Sequence, residues 1–396
     1  MGYRKTALRP AYSRKLRFDL RIAHIITGLG TGGAETMLAK LIEALPSPEH
    51  EHVVMPLLSG GVLEARIAAA GGQIVDAGIP RSPRAFLSLA RLRRLVQEAR
   101  ADVVQGWMYH GNLVASMAAS GKPVLWGIRQ TLSSISHVRP MTRAVIIASV
   151  PFAFRTNRII YNATSSAADH ERLGFPAKKR AYIPNGFDTL RFRPMPKAGA
   201  ALRAELGLAE NVRLIGRVAR DDAIKDHETL FAAFARVASS DPACHLVCVG
   251  RGMLPGRPRL DALITQHGLA GRVHLLGERL NMPELTAGFD LALSTSRHSE
   301  GFSNAIGEAM AAGVPVIATD VGEAKEILGD STRIVSAADP EALAECCLRL
   351  LALSPAQLAA LGTADRARIE ERYAMPGVAR CFALAWQEAL NGIGPH

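Results

Sequence analysis

Aromatic residues make up only 5% of this 396-residue chain, and cysteine is rarer still. The five cysteines (Cys244, Cys248, Cys346, Cys347 and Cys381) are odd in number, lie in the second half and form no Cys-x-x-Cys pair. That usage excludes a disulfide scaffold and a structural zinc site, and points to a reducing, cytoplasmic compartment. Long apolar runs are also missing. The longest, Ala144 to Phe154, contains Pro151 and is flanked by Arg143 and Arg155; it falls short of the ~20 residues a membrane span requires. Residues 1–20 lack the apolar core of a signal peptide and read as a loose basic leader. Acidic residues are scarce in one half only. Residues 1–190 hold 25 Lys and Arg against 12 Asp and Glu, a net +13, whereas residues 191–396 are close to balanced at −2.

A basic excess confined to one half implies that this half faces something anionic, such as a membrane surface or a phosphorylated acceptor. Nucleic acid is disfavoured as that partner: single-strand binding needs aromatic platforms among the basic residues, and "RSPRAFLSLARLRRLVQEAR" offers one phenylalanine. That segment reads as an ordinary amphipathic surface helix, with a membrane-docking helix as the alternative.

What is present is the pattern of a folded α/β enzyme. Hydrophobic residues reach 48%, and Gly and Pro are scattered without period. The runs "RIAHIIT", "HVVMPLL", "DVVQGWM" and "PVLWGI" read as strands separated by helices such as "GGAETMLAKLIEAL". "VRLIGRVA", "CHLVCVG", "VHLLG", "LALSTS" and "VPVIATD" repeat the scheme in the second half. Between them, "YIPNGFD" carries turn signals at Pro184 and Asn185-Gly186. The expected architecture is two doubly wound, Rossmann-like domains, residues 21–183 and 184–370, facing across a cleft; residues 371–396 form a closing helix that packs back on the first domain.

One stretch, "EGFSNAIGEAM", sets Glu300 and Glu308 eight positions apart. On one unbroken helix they would stand about 12 Å and roughly 80° apart, too far to hold one small group. Gly301 permits a bend, Ser303 or Asn304 is a good N-cap, and Gly313 with Pro315 forms a stop, so the helix runs from about Ala305 to Ala312. Both carboxylates then border a helix N-terminus, where free amides attract phosphate. A ligand combining phosphate with hydroxyls suits that set. Upstream, Gly28, Gly30 and Gly33 fit the dinucleotide-binding G-x-G-x-x-G, but the second strand ends in Ser59-Gly60-Gly61, without the acidic residue a nicotinamide site needs.

"SEGFSNAIGEAMAAGVPVIATDVG" closely resembles the glutamate-x7-glutamate segment of the retaining family 4 (group 1) glycosyltransferases, whose fold is GT-B. "ITGLGTGGAETML", "WMYHGNL", "IPNGFDTLRFRP" and "VARDDAIKDHETL" resemble, in order, that family's glycine-rich loop, histidine loop, interdomain stretch and arginine–lysine phosphate clamp. The resemblance implies that Arg220 and Lys225 bind the diphosphate of a nucleotide sugar, with Arg217 as a second candidate. It assigns Glu308 to the ribose, Glu300 to the transferred sugar and His110 to the reaction centre. The amides of Phe302, Ser303 and Asn304 would lie near phosphate or sugar, and Gly32 and Gly33 would let the loop approach the diphosphate. Asp221 and Asp222 replace the usual proline-containing spacer and are expected to point to solvent. No Asp-x-Asp occurs anywhere, so the cationic pair is expected to do the work of a metal ion. The resemblance implies a uridine diphosphate sugar donor and no cofactor, and the basic first half adds the expectation of a lipid-linked or polysaccharide acceptor at the inner membrane face. A glycoside hydrolase and a non-catalytic sugar-nucleotide-binding subunit are the alternatives.

Overall fold

The computed structural model describes residues 19–78, 88–132, 135 and 138–392; the leader and much of "RSPRAFL" lie outside them. Among the described residues, the apolar runs of the first half pair into a seven-stranded parallel sheet of order β3-β2-β1-β4-β5-β6-β7. Its strands are β1 (Leu20–Ile26), β2 (His50–Pro56), β3 (Gln73–Ile74), β4 (Val103–Trp107), β5 (Val124–Ile128), β6 (Arg158–Tyr161) and β7 (Arg180–Tyr182). Between them run α1 (Gly33–Ala44), α2 (Glu64–Ala69), α3 (Ser88–Glu98), α4 (Met108–Ala118), α5 (Pro140–Ala153) and α6 (Thr164–Arg172). β4 and β5 are buried along their whole length, as strands covered by helices on both faces must be.

The second half forms a six-stranded parallel sheet of order β10-β9-β8-β11-β12-β13. Its strands are β8 (Arg213–Val218), β9 (Cys244–Val249), β10 (Val273–Leu275), β11 (Leu291–Ser294), β12 (Val316–Thr319) and β13 (Ile334–Val335). Its helices are α7 (Ala198–Glu205), α8 (His227–Ser240), α9 (Pro258–Gln266), α10 (Met282–Ala287), α11 (Asn304–Ala311), α12 (Ala324–Leu328), α13 (Pro340–Leu351) and α14 (Pro355–Tyr373). Four apolar clusters cover the two faces of the two sheets. In each sheet the strand order reverses once, between β1 and β4 and between β8 and β11. Crevices for ligands open at the carboxyl ends of strands at such reversals.

The last helix, α15 (Met375–Leu390), returns to the first sheet. Phe382 stacks on Trp107 at 5.8 Å, and Trp386 Nε1 donates to Gln105 Oε1 at 3.1 Å. Beneath it runs a hydrogen-bonded chain of rings: Trp107 Nε1 to His24 Nδ1 (3.2 Å), His24 Nε2 to His52 Nδ1 (2.9 Å), and His52 Nε2 to the Leu45 carbonyl (2.9 Å). The chain crosses between the halves twice in one place. Phe187 N donates to Tyr373 O and Met375 N to Phe187 O, both at 2.8 Å, so the outgoing and returning segments pair as a short bridge.

Candidate active site

Every residue singled out for the site, apart from Arg217 within β8, follows one of the four strands that flank the two reversals. Gly32 and Gly33 come after β1, His110 after β4, Arg220 and Lys225 after β8, and Glu300 to Glu308 after β11. Three of these turns hold a non-glycine residue in the left-handed region: Met108 (φ 59°), Asp226 (φ 49°) and Ser299 (φ 55°). Such backbone costs on the order of 1–3 kcal/mol each and persists where the surroundings over-determine it. At Asp226 the surroundings are plain. Its carboxylate caps α8 through Thr229 N (3.2 Å) and Thr229 Oγ1 (2.8 Å), and Arg297 Nε donates to it at 3.0 Å.

Glu300 lies in the loop before α11, where its carboxylate pairs with Lys225 Nζ and accepts from Ser296 Oγ at 2.9 Å. Burial alone would raise its pKa; the Lys225 ammonium, the Ser296 hydroxyl and Arg217 hold it below the ordinary value instead. Gly322 (φ 62°) backs this loop so closely that a Cβ would strike the Glu300 carbonyl. Arg217 is fully buried beneath Lys225, donating to the carbonyls of Lys225 (3.0 Å) and Leu293 (3.3 Å), and desolvation brings its pKa down to about 10. It therefore props the lysine. Arg220 is about half exposed at the rim, with Nε on Asp222 Oδ2 at 2.9 Å.

The two aspartates of the spacer do not point to solvent as expected. Asp222 accepts from Ile224 N at 3.0 Å, capping the turn that delivers Lys225, and it steers Arg220. Asp221 is largely covered, held between Arg257 and Arg259. Both carboxylates are occupied by local donors, so they compete little with a phosphate for the clamp.

On α11, Ser303 is the N-cap without a side-chain hydrogen bond, and no acid occupies the first turn. The amides of Asn304 and its neighbours therefore face the cleft unblocked by a carboxylate. Phe302 and Ser303 are buried, the former stacked on Phe187 at 6.1 Å. Glu308 points across the cleft, where Oε1 accepts from Lys40 Nζ of α1 at 3.2 Å. Lys40 is buried, and its ammonium lies 5.8 Å from the Phe187 ring centre.

From the facing domain, His110 stands in the first turn of α4, half-buried, its pKa lowered by desolvation. Gly32 is the N-cap of α1, and a Cβ on Gly33 would meet nothing within 4 Å. The packing of the fold therefore does not itself require glycine at that position. Among the described residues no group of three or more His, Cys, Asp or Glu converges to hold a metal ion.

Sequence reasoning missed the groups that fasten the domains together. Arg129, at the end of β5, donates to Asn185 Oδ1 at 3.0 Å, and Asn185 Nδ2 reaches Asn304 Oδ1 at 2.9 Å. Glu323 accepts from the amide and hydroxyl of Thr164 at the start of α6, both at 2.6 Å. Lys40 alone left a signal, a lysine inside the apolar run "MLAKLI".

Two sequence models match: that of Glycosyltransferase Family 4 over residues 31–191 and that of Glycosyl transferases group 1 over residues 198–353. The lipopolysaccharide core biosynthesis mannosyltransferase LpsB of Rhizobium meliloti is 28% identical over 53% of this chain and 61% of its own length. The D-inositol 3-phosphate glycosyltransferase of Segniliparus rotundus is 27% identical over 73% of this chain and 62% of its own. The chain thus spans under two thirds of the length of these two relatives. The crystal structure of Anabaena HepE in complex with UDP-glucose superposes with a TM-score of 0.80 at 22% identity, covering 93% of this chain and all of that one. The fold is therefore the GT-B arrangement of two Rossmann-like domains expected from the sequence.

Proposed function

The chain belongs to the group 1, family 4 glycosyltransferases, and from that premise we propose that it moves a sugar from a nucleoside diphosphate donor to an acceptor hydroxyl with retention of anomeric configuration. The observation that carries the proposal is the juxtaposition of Lys225 and Glu300 beside the α11 N-terminus, at the reversal between β8 and β11. Lys225, with Arg220 at the rim and the α11 amides, offers concentrated positive potential to a diphosphate leaving group. Those cations take the part of a divalent metal, which makes the transfer metal-independent. Glu308 keeps one carboxylate oxygen for ribose hydroxyls while the other holds Lys40. Glu300 orients the transferred sugar. His110, presented from the acceptor domain, hydrogen-bonds the sugar at the reaction centre as a neutral imidazole. Gly32 and Gly33 let the first loop come close to the diphosphate. Departure of the diphosphate and attack by the acceptor on the same face gives retention, and closure of the domains excludes the water that would hydrolyse the donor.

A glycoside hydrolase reading is disfavoured, because a hydrolase has no use for the Lys225 and Arg220 cations beside the α11 N-terminus, and Glu300, held below the ordinary value by Lys225 and Ser296, does not suit the role of its general acid. The UDP-glucose complex of HepE supports a uridine diphosphate sugar as donor. The lipopolysaccharide-core role in the name of LpsB supports a glycolipid or surface-polysaccharide acceptor, reached by a cytoplasmic enzyme at the inner membrane face.

Calorimetry with UDP tests the donor site. Glu308→Ala should weaken binding by on the order of tenfold or more, the cost of about one charge-assisted hydrogen bond; unchanged affinity would remove Glu308 from the site. Nucleotide binding with no transfer to any of a broad panel of acceptors would favour the non-catalytic subunit.

A further inference from the structure

The face of α5 that points away from the sheet is apolar. Among the described residues seven large hydrophobic side chains are exposed, and three of them belong to this one segment: Met141 (78% exposed), Ile147 (58%) and Phe154 (60%). Ala144, Ala148 and Pro151 are exposed between them, while Ile146, Ser149 and Ala153 face inward. Spacings of three and four residues place the exposed set on one stripe about 21 Å long. Monomeric proteins leave single apolar residues at the surface commonly, but rarely a continuous stripe.

The charges around the stripe say what covers it. Arg139 and Arg155 are exposed beyond its two ends and Arg143 along its flank, and no Asp or Glu occurs between Asp102 and Asp169. A protein partner would meet these arginines with fixed carboxylates at set positions, whereas an anionic bilayer supplies negative charge all along the ridge. An apolar ridge bordered by cations and free of anions matches the boundary between anionic headgroups and acyl chains. We propose that α5 is the membrane-docking element of this protein, lying in the interface of an anionic bilayer with Met141, Ile147 and Phe154 inserted among the acyl chains.

The placement fits a lipid-linked acceptor, and the proposal rests on that reading. α5 follows β5 in the basic first half, and a helix that follows a parallel strand starts on the carboxyl-end side of the sheet, the side on which such folds open their crevices. A helix laid flat in the interface sets the cleft mouth at headgroup level. Fourteen residues are too few to span.

Flotation of the full chain with vesicles of phosphatidylglycerol in phosphatidylcholine tests this. The parent should float with anionic vesicles and not with pure phosphatidylcholine. Ile147→Glu with Phe154→Glu should lower the bound fraction by on the order of tenfold, while UDP affinity by calorimetry stays at the parent value and reports a folded donor site. Phe154→Trp should shift its emission to the blue on adding anionic vesicles; the native Trp107, Trp126 and Trp386 are all fully buried. Equal flotation of the double variant, failure of the parent to float, or a parent dimer in sedimentation that the double variant abolishes would each overturn the proposal. Loss of UDP binding in the parent would instead sink the donor-site reading and leave the docking result standing.

Discussion

Because half-burial in the first turn of α4 lowers the pKa of His110, and a cation at a helix N-terminus opposes the macrodipole, its imidazole is neutral at physiological pH. Protonation should therefore impair turnover only on the acid side, with a kcat limb whose midpoint lies below the ordinary histidine value of 6.5. His110→Gln should remove that limb and depress kcat by on the order of a hundredfold, with UDP affinity unchanged; stopped-flow turnover across pH checks both. Lys40 sets a second residue-scale expectation. It is buried, and its partner Glu308 belongs to the other domain. Lys40→Met leaves that carboxylate without its cross-cleft cation, so closure weakens. kcat/KM should fall about tenfold, equivalent to ~1.4 kcal/mol, and small-angle scattering should show a larger radius of gyration. An unchanged radius would mean that the pair does not fasten the domains.

At the scale of elements, α11 depends on how closely it approaches the crossover. Gly307 has no side chain because the Phe187 ring occupies the space, and a Cβ there would overlap it. Gly307→Ala should cost about 1–3 kcal/mol through overpacking and lower the melting temperature by a few degrees; a melting temperature at or above the parent's would refute that packing. This element also shows what sequence can and cannot reveal. The start and stop of α11 were legible because glycine, serine and asparagine act within a few positions of themselves, and Glu300 and Glu308 were legible because they flank that signal. Phe187 against Gly307, Lys40 against Glu308 and Thr164 against Glu323 join residues more than a hundred positions apart. No local pattern encodes such pairs; the fold of the second domain brings Phe187 to Gly307, and only the docking of the two domains brings Lys40 to Glu308 and Thr164 to Glu323. Asp221 was misread for a related reason, since the arginines that cover it arrive from the start of α9, whereas the partners of Asp222, Arg220 and Ile224, are local.

For the whole molecule, the ring chain under α15 links acidity to stability. Burial holds His24 well below its usual pKa and brings His52 down to about 4, and each imidazole accepts a hydrogen bond on Nδ1, which it cannot do when doubly protonated. The unfolded chain binds these protons near pH 6.5 while the folded chain refuses them, so the contribution is complete above pH 6.5 and is eroded as pH falls toward 4. Each imidazole that stays neutral should steepen the loss by about 1.4 kcal/mol per pH unit. Urea unfolding followed by tryptophan fluorescence at pH 7.5, 6 and 5 checks the slope; stability independent of pH over that interval would mean that the folded rings take up protons as readily as the unfolded ones.

The paired crossing at Phe187 and Ala374 makes the donor half an excursion from a domain that is finished by α15. During synthesis the second sheet can therefore close on itself while the first still exposes Trp107 and its neighbours. Those apolar rings stay uncovered on the ribosome until the last helix emerges, which makes the nascent acceptor half, rather than the donor half, the natural client of a holding chaperone.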